Sequence, residues 1–312
     1  MKKTISVICL IITIMLFASA CTDKTPKSTD DTSTSETSTS TSAPQPAPEK
    51  TEVVISYNGN EESGLGSAEM KVSSKYKTGE KIEITLPEGQ HYLAVTIAKD
   101  VLDEAIVYLK NNKFSYTIPD FSGSYPSELQ ESGCIISARV PSNDELLEER
   151  NIALNPSDLL NAKTVFPHSS SNNVYQNNQS PEWLARNAID GFKQNTGHGT
   201  YPLQSWGPDS TVKSSDYFKI DFGREVKISK IVLYIRADFP HDAFWDSCVV
   251  ELSDGSVLDI SGIKETQKKQ TFKFDEFTTT SLKFTGLNKS SSSKGDWAAW
   301  TEVEVYGYEN FN

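Results

Sequence analysis

Apolar residues recur at every second position through most of this chain, and that alternation, cut by turn residues, dictates strands. Ile82-Glu83-Ile84-Thr85-Leu86 runs into Pro87-Glu88-Gly89; Leu93, Val95 and Ile97 then share a face, as do Phe114, Tyr116 and Ile118 before Pro119. Period two sends alternate side chains to opposite faces of a sheet, so each segment has one face to bury. Short strands of this kind, separated by turns, pack as a β-sandwich. Residues 100–109 read either as a short helix or as a loop leading into a strand at Ala105–Leu109. The second half repeats the pattern: Phe218, Ile220 and Phe222 alternate with Tyr217, Lys219 and Asp221. Further strands are expected at Val226–Ala237, Cys248–Leu252, Thr271–Phe274, Leu282–Phe284 and Val303–Tyr306. Between the halves, the charged stretch from Asn143 to Arg150 breaks the alternation and is expected to form a helical turn. The expected fold is therefore all-β: one sandwich over residues 51–141, a connector over 142–150 and a second sandwich over 151–312.

The first fifty residues follow another logic. Met1-Lys2-Lys3 is positive, and the apolar run from Ile5 to Phe17 is too short to span a bilayer comfortably, as in a signal peptide. Ala18-Ser19-Ala20 precedes Cys21, after which the chain turns abruptly polar. That junction resembles a bacterial lipobox, with Ala18 where Leu is usual. The resemblance implies a lipoprotein signal peptide over residues 1–20, a lipid on Cys21, and a membrane anchor that holds the exported protein at the cell envelope. An ordinary Ala-x-Ala secretory cleavage would also export the chain but gives no reason for a cysteine at the junction. Residues 21–50, rich in Ser, Thr and Pro, hold almost nothing that could be buried and are expected to form a disordered linker.

Charge and cysteine usage narrow the partners. A net charge of -12 argues against nucleic acid and disfavours an anionic membrane surface or a polyanionic glycan, leaving a neutral ligand as the better fit. Lys264, Lys268, Lys269 and Lys273 make a local basic stretch that either attracts acidic glycans or, as is expected here, solvates and protects an edge strand. Of the four cysteines, Cys9 leaves with the signal and Cys21 takes the lipid. Cys134 and Cys248 remain, either as free thiols in strand segments or as an interdomain disulfide.

The second half carries landmarks in a fixed order: Asn151-Ile152-Ala153-Leu154, Ala188-Ile189-Asp190-Gly191, Trp206, Phe218-Lys219-Ile220-Asp221-Phe222-Gly223 and Thr301-Glu302-Val303-Glu304-Val305-Tyr306-Gly307. Residues 151–307 thereby resemble the coagulation factor 5/8 type C, or discoidin-like, family, whose bacterial members include family 32 carbohydrate-binding modules. The resemblance implies a galactose-binding-like jelly roll that binds ligands, often sugars, through loops at one end. It also implies a structural Ca2+ held by Asp190 and Glu302, with Asn195 and Thr196 as further ligands. Oxygen donors from a loop and a strand suit that ion. The competing reading has Asp190 capping a turn and Glu302 facing solvent.

All five tryptophans, Trp183, Trp206, Trp245, Trp297 and Trp300, and three of the four histidines lie in this half. A sugar site needs an aromatic platform beside fixed donors and acceptors. Two segments offer that mixture. Gly197-His198-Gly199-Thr200-Tyr201 contributes His198 and Tyr201, and Arg236 to Trp245 contributes Arg236, Asp238, His241 and Trp245. Arg236 and Asp238 fall on the same side of a strand end, where Arg236 would donate to sugar oxygens, Asp238 and His241 would bond hydroxyls, and Trp245 or Tyr201 would stack. Alternatively, Trp206, Trp297 and Trp300 are core or lid residues and Arg236 with Asp238 is an ion pair. The leading expectation is a non-catalytic, membrane-anchored carbohydrate-binding protein, with the first sandwich as spacer or second recognition domain. No nucleophile elbow or zinc-protease motif is present, although a carboxylate pair of a glycan hydrolase or lyase would leave no local spacing. An adhesion or assembly protein that meets a protein partner is the remaining alternative.

Overall fold

The computed structural model describes residues 52–209, 212–237 and 243–311. The signal and linker segments, with Cys21, lie outside the described residues, as do Asp238 and His241. The first half supplies β1 (Glu52–Tyr57), β2 (Asn60–Leu65), β3 (Ser67–Lys71), β4 (Lys81–Thr85), β5 (Tyr92–Thr96), β6 (Ala105–Leu109), β7 (Lys113–Thr117) and β8 (Ile135–Arg139). A short helix follows, α1 (Asn143–Leu147). The second half adds β9 (Arg150–Asn151), β10 (Val165–Phe166), β11 (His168–Ser171), β12 (Phe218–Ile235), β13 (Trp245–Leu252), β14 (Val257–Ser261), β15 (Gln270–Lys289) and β16 (Trp300–Glu309). The protein is nearly all β, as the alternation predicts.

Two antiparallel sheets build the first sandwich, ordered β2-β1-β4-β7 and β10-β6-β5-β8-β3. Val53, Ile55, Ile82, Ile84, Phe114 and Tyr116 from one sheet and Leu93, Val95, Val107 and Ile136 from the other make its core. The ambiguous stretch before residue 109 is a turn, with Val101 and Leu102 donating to the Ala98 carbonyl, followed by strand β6. At α1 the helix is started by a capping box: Ser142 Oγ accepts the Glu145 N–H (3.3 Å) while Glu145 Oε2 accepts the Ser142 N–H (2.8 Å). It stops at Leu147, short of the expected Arg150, which belongs to β9.

The second sandwich is organised by two very long strands. β12 pairs with β11 and the far half of β15 through Phe218–Asp221, and with β16 and the near half of β15 through Val226–Leu233. Bulges after Asp221 and Ile228 shift the register between these stretches. Such bulges bend a strand and let it serve both layers of a sandwich. The sequence divides β15 into two strands at Thr271–Phe274 and Leu282–Phe284; one continuous strand spans both. The core is dominated by aromatics. Trp206, Trp245 and Trp300 lie within 5.2–5.4 Å of one another, centroid to centroid, with Phe218 and Phe284 against them.

The two sandwiches share a buried charged knot. The Glu309 side chain, fully buried at the end of β16, accepts from Arg224 Nε (2.9 Å) and Nη2 (2.6 Å), from Arg150 Nη2, and from the Tyr92 hydroxyl of β5 (3.0 Å). Arg224 also lies 5.5 Å from the Tyr108 ring of β6. Cys134 is half-buried and Cys248 buried, and both are free thiols, so the disulfide alternative does not form.

Candidate functional site

Loops converge at the end of the second sandwich where β12 leaves the sheet. The Arg236 N–H donates to Ala299 O (3.0 Å) and that of Ala237 to Asn195 O (3.1 Å), which fixes the direction in which the Arg236 side chain departs. Its guanidinium donates from Nη2 to the Trp297 carbonyl and sits 5.9 Å from the Trp183 ring. Tyr175 meets Trp297 edge-on at 5.1 Å and Trp183 at 6.5 Å, while the His198 ring lies 6.3 Å from Trp183. With Gly207, Pro208 and Ala298 these residues enclose a cleft of about 210 Å³.

The walls are held by backbone rather than by regular structure. Tyr175 N–H donates to Gly207 O (2.9 Å), Gly207 N–H to Trp183 O (3.2 Å), and Trp206 and Trp300 exchange a pair of backbone bonds beneath them. A Cβ on Gly207 would lie 3.1 Å from the Trp183 ring, so glycine lets the indole rest against the chain. Trp297 remains 37% exposed, enough to offer a ring to a ligand. Indole and phenol faces beside a guanidinium and an imidazole supply both C–H/π contact and hydrogen-bond donors.

A second feature lies below the loops. Asp190 and Glu302 are both buried, and Asp190 accepts from Phe192 N–H (3.0 Å) and Gln204 Nε2 (3.0 Å). Glu302 Oε2 accepts from Gly191 N–H (3.2 Å), whereas its Oε1 has no hydrogen-bond partner among the described residues. Burial, only partly offset by the Arg186 charge, pushes the Asp190 carboxyl up to about 7. Burial and the neighbouring Asp190 charge hold Glu302 well above the usual carboxylate range. Two carboxyls that repel one another, one with an orphaned oxygen, fit a hard divalent cation.

The sequence candidates separate into groups. Arg236 and His198 line the cleft. Trp245 does not: it opens β13 at 1% exposure, stacked 5.4 Å from Trp206, so its faces are taken by the core and cannot stack on a ligand. Tyr201 also lies off the cleft, half-buried with its ring edge-on to Phe192 at 4.9 Å. Asn195 uses its amide to donate to Ile235 O (2.8 Å) and Gln267 O (3.2 Å), and the exposed Thr196 accepts from Gln194 Nε2 (3.1 Å). Glu302 does not face solvent, and Trp206 and Trp300 are core. Tyr175, Trp183 and Trp297 are the walls that sequence reasoning did not assign. The signal was present in the skewed tryptophan distribution and in the long polar stretch over 167–180 that holds Tyr175.

Residues 168–303 match the F5/8 type C domain family. The F5/8 type C domain contains every residue lining the cleft as well as Asp190 and Glu302, and it is narrower than the resemblance over 151–307. No curated protein matches the chain. Among solved structures, the chain is similar to a chitosan-binding module of a chitosanase/glucanase from Paenibacillus sp. IK-5, at 15% identity over 51% of this chain and 99% of that one, TM-score 0.36. It is similar to the family 32 carbohydrate-binding module of C. perfringens NanJ solved with galactose, at 18% identity over 44% and 91%, TM-score 0.34. A Streptococcus pneumoniae fucose-binding module shares 16% identity over 51% and 99%, TM-score 0.33.

Proposed function

We propose that this chain is a non-catalytic carbohydrate-binding protein that takes a neutral glycan in the cleft of its F5/8 type C domain. The observation that carries this reading is the wall of Tyr175, Trp183 and Trp297 around Arg236 and His198. Rings of this kind cover the apolar face of a sugar while the guanidinium and imidazole bond its hydroxyls. Asp190 and Glu302 would hold a structural Ca2+, whose charge would replace the protons that these buried carboxyls otherwise retain. On the sequence pattern alone, Cys21 carries a lipid that tethers the protein to the envelope membrane through the 21–50 linker.

Calorimetric titration of the full chain with galactose, fucose and chitotriose, in the presence of Ca2+, is expected to give saturable binding to at least one. Absence of binding to these and to a broad array of neutral glycans would overturn the reading. Metabolic labelling with an alkynyl fatty acid tests the anchor: label should enter the wild-type chain and be lost in Cys21→Ser.

A further inference from the structure

The wall of the cleft that carries Trp183 rests on the first sandwich. Gly123, in the loop between β7 and β8, accepts the Tyr201 N–H at its carbonyl (2.5 Å). Its φ is +84°, and a Cβ there would lie 2.8 Å from Glu182 Oε1 and 2.9 Å from the Pro181 ring. The Glu182 side chain could swing away; the proline ring is tied to the backbone of the turn that leads into Trp183. Two residues on, the Tyr125 ring lies 4.2 Å from the buried guanidinium of Arg186. Arg186 donates to Pro156 O (3.1 Å), Asp158 O (3.1 Å) and Asn187 Oδ1 (3.0 Å). The Asn187 amide in turn donates to Pro181 O (2.8 Å) and Ser205 O (3.3 Å), the backbone just ahead of Trp183 and Gly207. Hence a continuous path runs from Tyr125 to both sides of the cleft, although no lining residue belongs to the first sandwich.

We infer that the Phe121–Tyr125 loop of the first sandwich sets the position of Trp183 and thereby the affinity of the cleft, with Gly123 and Tyr125 as positioning residues. This rests on the carbohydrate reading above and assigns the first sandwich a role as buttress to that site. The physical reason is the steepness of dispersion forces: a gap of about 0.5–1 Å forfeits a quarter to a half of each atom pair's attraction. A wall displaced by that much, toward the sugar or away from it, holds the sugar poorly. Glycine at 123 serves both needs, since other residues resist the left-handed backbone and would press on Pro181.

The test uses the full chain with galactose, fucose and chitotriose as probes and Gly123→Val and Gly123→Ala as variants. Gly123→Val should weaken binding roughly tenfold, equivalent to about 1.4 kcal/mol. Gly123→Ala should weaken it less. In a Trp183→Ala background neither substitution should weaken binding further, because the group they displace is gone. Wild-type affinity in folded Gly123→Val, or a loss that persists undiminished without Trp183, overturns the inference. If Gly123→Val does not fold, Gly123→Ala decides by the same comparison. A readout independent of sugar is the 19F resonance of 5-fluorotryptophan at position 183. It should move in the Gly123 variants while those at positions 206, 245 and 300 stay; an unmoved Trp183 signal also overturns the inference. Failure of the wild-type chain to bind any glycan, with the Trp183 resonance still responding to Gly123, would sink the carbohydrate reading and leave the buttress.

Discussion

Glu302 and Glu309 stand on the same strand, both buried, yet their carboxyls are shifted in opposite directions from the ordinary glutamate value. Burial alone would raise either one. At Glu309 the bidentate Arg224 and the charge of Arg150 overrule it and hold the carboxyl below the ordinary glutamate range. At Glu302 burial and the like charge of Asp190 outweigh the Lys193 charge, and the carboxyl is pushed up instead. The contrast separates two uses of a buried acid. A neutralised carboxylate fastens parts of the fold together, whereas a pair whose burial and mutual repulsion outweigh the cations near it favours protons or a metal.

The largest test of that contrast is Glu309→Ala. It leaves Arg150 and Arg224 buried without their partner and should lower stability by about 3–5 kcal/mol in urea titrations. Glu302→Gln should behave otherwise in chelator, costing little, since glutamine resembles the protonated carboxyl that the cation-free fold holds. A loss there equal to that of Glu309→Ala would break the comparison. Next in size is the cation itself. Ca2+ at about a hundredfold excess over its Kd should stabilise the wild-type chain by ~2.7 kcal/mol. The gain should vanish in Glu302→Gln and survive in a variant of the cleft.

Acidity should then act with opposite signs on the two sites. The depressed Glu309 carboxyl contributes stability above the unfolded value near 4.3 and loses it as pH falls through its folded value. Asp190 and Glu302 hold protons in the cation-free fold that the unfolded chain releases above about pH 4. In chelator, stability should therefore decline as pH rises from about 4 toward the raised folded values, Asp190's being about 7. Ca2+ should flatten or reverse that slope, as urea midpoints taken across pH with and without the ion would record. The smallest effect is expected at Trp297→Ala, which removes one exposed ring. Sugar affinity should fall by about 0.5–1.5 kcal/mol with the Ca2+ stabilisation intact. A parallel loss of both would mean that the cleft and the carboxyl pair are one site.

Much of the architecture could be read from alternation alone. Phe218, Ile220 and Phe222 point inward as written, and Arg236 emerges at the strand end beside the cleft. Reading stopped where the period stopped. The bulges of β12 and β15 hid the continuity of both strands, and a register shift just after Trp245 made an inward core residue look like part of a loop. Tyr175 and Trp183 sit on short turns whose side-chain directions are set by contacts with Gly207 and Ser205, far along the chain. No local pattern encodes those directions. The orphaned oxygen of Glu302 was equally invisible, because it depends on what the fold leaves out of reach.

The Glu309 knot also bears on load. If the chain is tethered through residues 21–50 while a glycan is held at the cleft, any drag enters at β1 and leaves near Trp297. β1 is zipped on both sides, to β2 and β4, so pulling it out means parting two ladders together. Tension that β1 survives then reaches the second sandwich partly through Tyr92, Arg224 and Glu309, a short, part-buried link between the two sandwiches. Under such a load, parting the sandwiches would mean stripping a buried glutamate of its arginine and tyrosine donors at once.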